Sequence, residues 1–240
     1  ALARILAEAT RASGTTVRLG VGFEGVTQDA DGATVRFSDG STGRYDLVVG
    51  ADGLYSKVRQ VVFPDAPKPR YTGQAVWRAV LPRPAEVDCA MMWMGPRTKP
   101  GVNPVSRSQM YMFITEHRPV NEHVDPKDFP RLMRGLLEDF SAPLLATLRE
   151  QITETSSIVF RPLEAMLMPQ PWHRGRVVLI GDAVHATTPH LASGACIGIE
   201  DGLVLAACLD SAEALDARLQ AFQSRRWERC RMVVENSLQL

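Results

Sequence analysis

Two apolar runs far apart in the chain each stop at a glycine and place an aspartate just beyond it. The first is Leu47-Val48-Val49-Gly50-Ala51-Asp52-Gly53 and the second is Val177-Val178-Leu179-Ile180-Gly181-Asp182. Near-continuous apolar runs of this length read as strands buried on both faces, the habit of parallel sheets. The pattern predicts strands over Tyr45–Val49 and Arg176–Ile180. Open α/β sheets bind ligands in the crevice beyond the carboxyl ends of their strands. Glycine there lets a ligand approach the backbone, and an aspartate can accept hydrogen bonds from sugar or polyol hydroxyls. The alternative is that Asp52 and Asp182 only cap turns, a common use of aspartate. The recurrence of the pattern weakens that alternative.

The residues after Asp182 run His185-Ala186-Thr187-Thr188-Pro189-His190-Leu191-Ala192-Ser193-Gly194-Ala195-Cys196 and lead into a helix expected to end near Leu209. Gly194, Gly198, Gly202 and Ala206 recur every four positions, so one helix face is nearly bare. A bare face packs closely on a sheet or a flat ligand. The free N–H groups and dipole of the helix start favour negative charge, which suits an anionic ring system. Tight helix–sheet packing alone is the other reading. His185, His190 and Cys196 match no standard metal spacing, and no metal is expected. Glu200 and Asp201 read as helix-packing or solvent-facing groups. No GxSxG elbow occurs, and no catalytic nucleophile is assigned.

Elsewhere, Leu2, Ile5, Leu6 and Ala9 share one face of a first helix that Gly14 ends. Thr15–Leu19 reads as a short strand. Val21–Thr27 and Ala33–Phe37 read as a hairpin about Asp29-Ala30-Asp31-Gly32. Gly20-Val21-Gly22-Phe23-Glu24-Gly25, with Asp46 beyond it, fits a dinucleotide fingerprint literally. It is set aside because the fingerprint needs a helix after its glycines, and here the residues alternate as a strand. Ser56–Val62 reads as a short helix. Eight of the sixteen prolines lie between Pro64 and Pro104, so that stretch is expected to hold loops and strand ends. Strands are expected at Gln74–Leu81, Cys89–Met94, Gln109–Thr115 and Ser156–Phe160. Helices are expected at Pro126–Phe140, Pro143–Gln151 and Ala212–Val234.

Composition narrows the partners. With 27 basic and 27 acidic residues in 240, the chain lacks the basic field that nucleic acid or an acidic membrane would need. Four scattered cysteines make no disulfide framework, which suggests a reducing, cytoplasmic setting. No run reaches the ~18 apolar residues of a spanning helix. The length allows one large domain or two small ones.

Tyr45–Gly53 with Ser56, Lys57, Val58 and Arg59 resembles the DG motif of flavin-dependent aromatic hydroxylases. Gly175–Ala183 with His185, Pro189 and Gly194 resembles their GD motif. The resemblance covers essentially the whole chain and is to the class A FAD-dependent monooxygenases of para-hydroxybenzoate and salicylate hydroxylase type. It implies an α/β fold in which part of a Rossmann-like FAD-binding domain, 1–70 and 162–240, is interleaved with an antiparallel-sheet substrate domain, 71–161. It implies that Asp182, with Gly181, meets the ribityl chain of FAD, and that Pro189 lies beside the isoalloxazine. The backbone of Gly194, Ala195 and Cys196 would face the ring edge. Asp52 and Gly53 would lie near the ribose and pyrophosphate or help bind NAD(P)H, and Arg59 is expected to be structural. Arg78, Met92, Met94, Met110, Met112, Phe113 and His190 are candidate pocket residues for an aromatic, phenolic substrate, with Trp77 beside them; about half the strand residues should be plain core.

The loop Leu191-Ala192-Ser193-Gly194 departs from the family's more glycine-rich form, and Gly202 stands where alanine is common. The family's first βαβ unit, with its GxGxxG, has no counterpart here. The chain, opening at Ala1 within a helical pattern, is therefore expected to be the C-terminal part of a longer enzyme with an incomplete FAD site. Such an enzyme would use NAD(P)H and dioxygen to hydroxylate its substrate. A flavin-dependent reductase on the same fold, and a catalytically silent fragment, are the alternatives.

Overall fold

The computed structural model describes residues 2–240, so Ala1, on which the expectation about the chain's start rests, lies outside the described residues. The chain divides into two compact units, one formed by residues up to Lys68 with Met166–Asn236, the other by Pro69–Ala165 with Ser237–Leu240.

In the first unit, α1 (Leu2–Ala12) ends before Gly14, which takes a φ of 86°. Its apolar face is not buried: Leu2, Ile5 and Leu6 remain about half exposed. The expected strand at Thr15–Leu19 does not form, and Leu19 is exposed. An antiparallel meander follows, β1 (Phe23–Gln28), β2 (Ala33–Phe37) and β3 (Thr42–Tyr45). The expected hairpin is present, and the glycines of the discarded fingerprint lead into β1 rather than a helix. Tyr45–Val49 is not one strand. Asp46 and Leu47 break it, and β4 (Val48–Gly50) starts a different sheet. Nor is it buried on both faces, since Val49 is 42% exposed. The short helix α2 (Lys57–Val62) is capped by Ser56, whose hydroxyl accepts from the Arg59 N–H.

The second unit is an antiparallel sheet with helices on one face. Its strands are β5 (Arg70–Pro82), β6 (Met91–Met92), β7 (Thr98–Pro104), β8 (Gln109–His117) and β9 (Ile158–Leu167), in spatial order β6-β7-β8-β5-β9. The helices α3 (Phe129–Gly135) and α4 (Pro143–Gln151) lie between β8 and β9 in sequence. The expected helix over Pro126–Phe140 begins as a 3-10 turn and stops early, and the expected Cys89–Met94 strand shrinks to two residues. The strand β7 was not expected at all. Proline cannot donate to a ladder, so central strands normally exclude it. Here β6 covers β7 only at Gly101 and Val102, and Pro100 needs only its carbonyl, which accepts from the Trp93 N–H.

The chain then returns to the first unit with β10 (His173–Arg174), β11 (Val177–Leu179), α5 (Asp182–His185), α6 (Gly194–Leu209) and α7 (Leu215–Leu238). The strand β11 is the middle of a three-stranded sheet, antiparallel to β10 and parallel to β4. Its residues Val177, Val178 and Leu179 are wholly buried. The core around them includes Val58, Trp172, Val184, Ile197 and Phe222. The second unit has its own core of Trp77, Met110, Met112, Ile114, Met133, Leu145 and Leu148. No helix among the described residues is long and apolar enough to cross a membrane.

Candidate functional site: the paired strand ends

The parallel pairing of β4 and β11 sets Val48 beside Val177, Val49 beside Val178 and Gly50 beside Leu179. The two glycine–aspartate segments therefore leave neighbouring strands at the same end. Gly50 is required by this packing. A Cβ there would lie 2.6 Å from Leu179 Cδ2 and 2.9 Å from Val58 Cγ1. Arg59, 3% exposed, ties the segments together: Nη1 donates to the Ala183 carbonyl at 2.7 Å and Nη2 to the Leu54 carbonyl at 2.6 Å. Its structural role, expected from sequence, is visible in these bonds.

The two aspartates are used differently. Asp52 accepts from the Ser56 hydroxyl at 2.5 Å through Oδ1 and from the Val58 N–H at 3.1 Å through Oδ2. It caps α2, as the alternative reading held, while remaining exposed. Gly53 turns the chain between them with a φ of 82°. Asp182 is also exposed, but its carboxylate has no hydrogen-bond partner among the described residues. Gly181 precedes it with φ 60° and ψ −144°, a region essentially reserved for glycine.

The helix α6 approaches this turn by its bare face. A Cβ on Gly198 would lie 3.7 Å from the Gly181 Cα. Gly202, by contrast, faces open space, so the small-residue stripe is a close contact only in its first half. Ser193 precedes α6 without capping it, because its hydroxyl donates to the Leu191 carbonyl at 2.8 Å. The N–H groups of Gly194, Ala195 and Cys196 open the helix, and Ala195 and Cys196 are exposed. Pro189 begins a 3-10 turn just before, and His190 Nδ1 lies 2.9 Å from Thr188 Oγ1.

Asp201 is neither exposed nor a mere packing residue. It is wholly buried and takes four contacts. Oδ2 accepts from the Gly181 N–H at 2.8 Å and lies 2.6 Å from His185 Nε2. Oδ1 accepts from Arg226 Nε at 2.7 Å, with Cys230 Sγ at 3.9 Å. Burial pushes Asp201 up, but the bonds from His185, Gly181 and Arg226 outweigh it and hold the carboxyl below its ordinary value. Burial alone would likewise depress His185. The bond to Asp201 outweighs it, raising the imidazole from 6.5 to about 9. His185, Asp201 and Cys230 bring metal-type atoms within 4.8 Å of one another. The cation already there is Arg226, whose Nη2 also lies 3.6 Å from Cys230 Sγ. His190 and Cys196, grouped with His185 in the sequence reading, are not part of this cluster. Composition and spacing hide the Asp201 network because its members come from three helices; the one sequence signal was an acidic pair inside an otherwise apolar helix.

In the second unit, strand alternation sorts the candidate pocket residues. Met110 and Met112 are fully buried beneath the helices with Trp77, so they are core rather than pocket wall. Trp77 is held there by its indole N–H, which donates to Glu116 Oε1 at 3.0 Å. Met92 and Met94 are more than half exposed; Met94 lines a separate cavity of about 580 Å³ with Trp93, Arg97 and Phe140. Arg78 and Phe113 are opposite each other in the β5–β8 ladder and share the other sheet face. Tyr111, an aromatic of the same strand that is not among the candidate pocket residues, stacks on Phe113 at 5.9 Å. Gly101 leaves the space under the Phe113 ring, where a Cβ would lie 2.3 Å from it. The buried Nε of Arg78 has no hydrogen-bond partner among the described residues.

A family model described as FAD binding domain matches residues 1–237. The chain belongs to the FAD binding domain family. It is 36% identical over 227 residues to aurachin C monooxygenase/isomerase of Stigmatella aurantiaca, covering 92% of this chain and 57% of that protein. It is 35% identical to 3-amino-4-hydroxybenzoate 2-monooxygenase of Streptomyces cremeus, covering 82% of this chain and 49% of that one. Klebsiella pneumoniae HpxO, solved with FAD and uric acid, superposes with a TM-score of 0.86 at 27% identity, over 98% of this chain and 60% of HpxO. The resemblance to flavin-dependent aromatic monooxygenases is thus borne out, as is the mixed helix-and-sheet fold. The chain spans about half the length of the curated relatives it matches. FAD suits the residues found here: an unpartnered carboxylate, a glycine-only turn and an uncapped helix start converge beyond parallel strand ends.

Proposed function

We propose that this chain is the flavin- and substrate-holding part of an FAD-dependent monooxygenase that hydroxylates an aromatic, phenolic small molecule with NAD(P)H and dioxygen. The observation that carries the reading is the free carboxylate of Asp182 at the end of β11, beside the end of β4. Asp182 accepts hydrogen bonds from ribityl hydroxyls, and Gly181 lets the cofactor approach. Pro189 flanks the ring, and the N–H groups of Gly194, Ala195 and Cys196 donate to its edge. An anionic ring gains about 0.3–1 kcal/mol, and up to ~2 when partly buried, from a helix start of this kind. Asp52 and Gly53 contribute from the β4 end, Asp52 through the accepting capacity its capping bonds leave. FAD, when bound, supplies the redox chemistry that links NAD(P)H to dioxygen.

Arg78, Phe113 and Tyr111 offer an aromatic face with one unsatisfied cationic donor, which suits a planar substrate bearing an acidic or phenolate group. The activities for which relatives are named, on an aminohydroxybenzoate and on urate, agree with that chemistry. Four free cysteines, two of them exposed, fit a reducing cytoplasmic setting.

Titration of the chain with FAD, read by flavin absorbance and fluorescence, tests the cofactor assignment. Saturable binding that weakens in Asp182→Asn supports it. A chain that leaves flavin spectra unchanged defeats it and favours the silent fragment. Assays with NAD(P)H and simple phenols then separate the chemistries. Dioxygen-dependent hydroxylated product supports the monooxygenase, whereas NAD(P)H oxidation without such product favours a reductase.

A further inference from the structure

We infer that Asp201 is a positioning residue for the FAD-contacting turn, acting through a closed ring of hydrogen bonds that also contains His185. The inference rests on the FAD reading above for its functional meaning, and on the geometry of the first unit for its substance. The Gly181 peptide is held on both sides. Its N–H donates to Asp201 Oδ2, and its carbonyl accepts from the Val184 and His185 N–H groups at 2.9 and 3.0 Å. The His185 side chain then returns to the same Asp201 oxygen at 2.6 Å. The ring therefore runs from Asp201 through Gly181 to His185 and back. Asp182, whose carboxylate is left free, is the first residue inside it.

Such a ring is needed because the turn is not self-supporting. Gly181 takes φ 60°, ψ −144°, a conformation open to glycine but one of many that glycine can adopt, so neighbouring groups must fix it. The short α5 has no side-chain cap of its own. From inside α6, Asp201 accepts the Gly181 N–H that leads into α5, and Arg226 on α7 neutralises its other oxygen. Arg226 further donates to the Ile197 carbonyl at 3.1 Å and to Glu200 Oε2 at 2.9 Å, so the same guanidinium holds the first turns of α6. Arg229 also binds Glu200, at 2.5 Å. One network, buried at Asp201, His185 and Arg226, thus ties the Gly181-Asp182 turn to the first turns of α6, the two elements assigned to FAD.

Amide exchange on the full chain without FAD, together with FAD titration, tests this. Asp201→Asn should raise exchange at the Gly181 amide by about 10- to 100-fold, the size of a lost hydrogen bond to a charged group, while the amides of Val177–Leu179 change little. It should weaken FAD binding by a similar factor. Asp182→Asn, the comparison variant, should weaken FAD binding and leave Gly181 exchange unaltered. If Asp201→Asn does not fold, His185→Gln opens the ring while leaving Asp201 paired with Arg226, and the same two readouts apply. Unchanged Gly181 exchange in a folded variant, a loss merely in step with β11, or undiminished FAD affinity overturns the inference. Wild-type chain that binds no FAD refutes the cofactor reading instead, and Gly181 exchange still decides the role of Asp201.

Discussion

At the scale of single residues, two left-handed positions behave oppositely. Gly181 sits where only glycine is comfortable, so Gly181→Ala should cost about 1–3 kcal/mol in urea unfolding. Ala192 adopts φ 49° in the loop where the family more often has glycine. A non-glycine residue there carries about 1–2 kcal/mol of strain, offset by about 0.5–1 kcal/mol of glycine's greater unfolded freedom. Ala192→Gly should therefore be neutral or slightly stabilising in the same measurement. The His185–Asp201 pair gives a pH signature. Because folding raises His185 from 6.5 to about 9, the pair's contribution is complete below about 6.5 and is lost as pH climbs toward 9. The groups setting that value are Asp201 and Cys230, with Arg226 on the far oxygen of Asp201. The stability gap between wild type and His185→Gln should shrink across that window in thermal melts at stepped pH. A constant gap would show that the imidazole carries no charge in the folded chain.

At the scale of elements, the alternation of β8 separates fold from ligand contact. Met112 points into the core, and Met112→Ala should cost about 2–5 kcal/mol while leaving aromatic-ligand affinity intact. Phe113 lies on the opposite face, and Phe113→Ala should do the reverse, weakening binding with a smaller loss of stability. Chemical denaturation and ligand titration of both variants distinguish the faces. The start of α2 is a second case. Ser56 is buried, caps the helix and donates to Asp52. Its replacement by alanine should cost about 0.5–2 kcal/mol and free Oδ1 of Asp52, leaving Oδ2 on the Val58 N–H. These roles were partly legible beforehand. Alternation implied that half of the methionine- and aromatic-rich strand residues would be core, but not which half, because the sheet face that meets α3 and α4 is a tertiary choice.

At the scale of the molecule, two separate cores underlie the two units, one centred on β11 and one beneath β5 and β8. Native-state amide exchange should accordingly show two slow clusters, one at Val177–Leu179 with α7 and one at Trp77–Ala79 with Met110–Ile114, while α1 exchanges fast for want of any buried residue. The chain's own residues determined a good deal by themselves: the helices at Pro143–Gln151 and Gly194–Leu209, the strand at Val177–Leu179, the glycine–aspartate ends and the family they point to. These are local signals, set by hydrophobic period, proline and glycine. The apolar face of α1 was equally clear, yet the pattern says only that a face wants cover and not that this chain supplies it. Tertiary structure alone decided that Asp52 is occupied and Asp182 free, that β7 tolerates its prolines, and that Asp201 is a buried anchor. Each depends on which distant groups meet, and the pairing of a charge is invisible until the chain has folded around it.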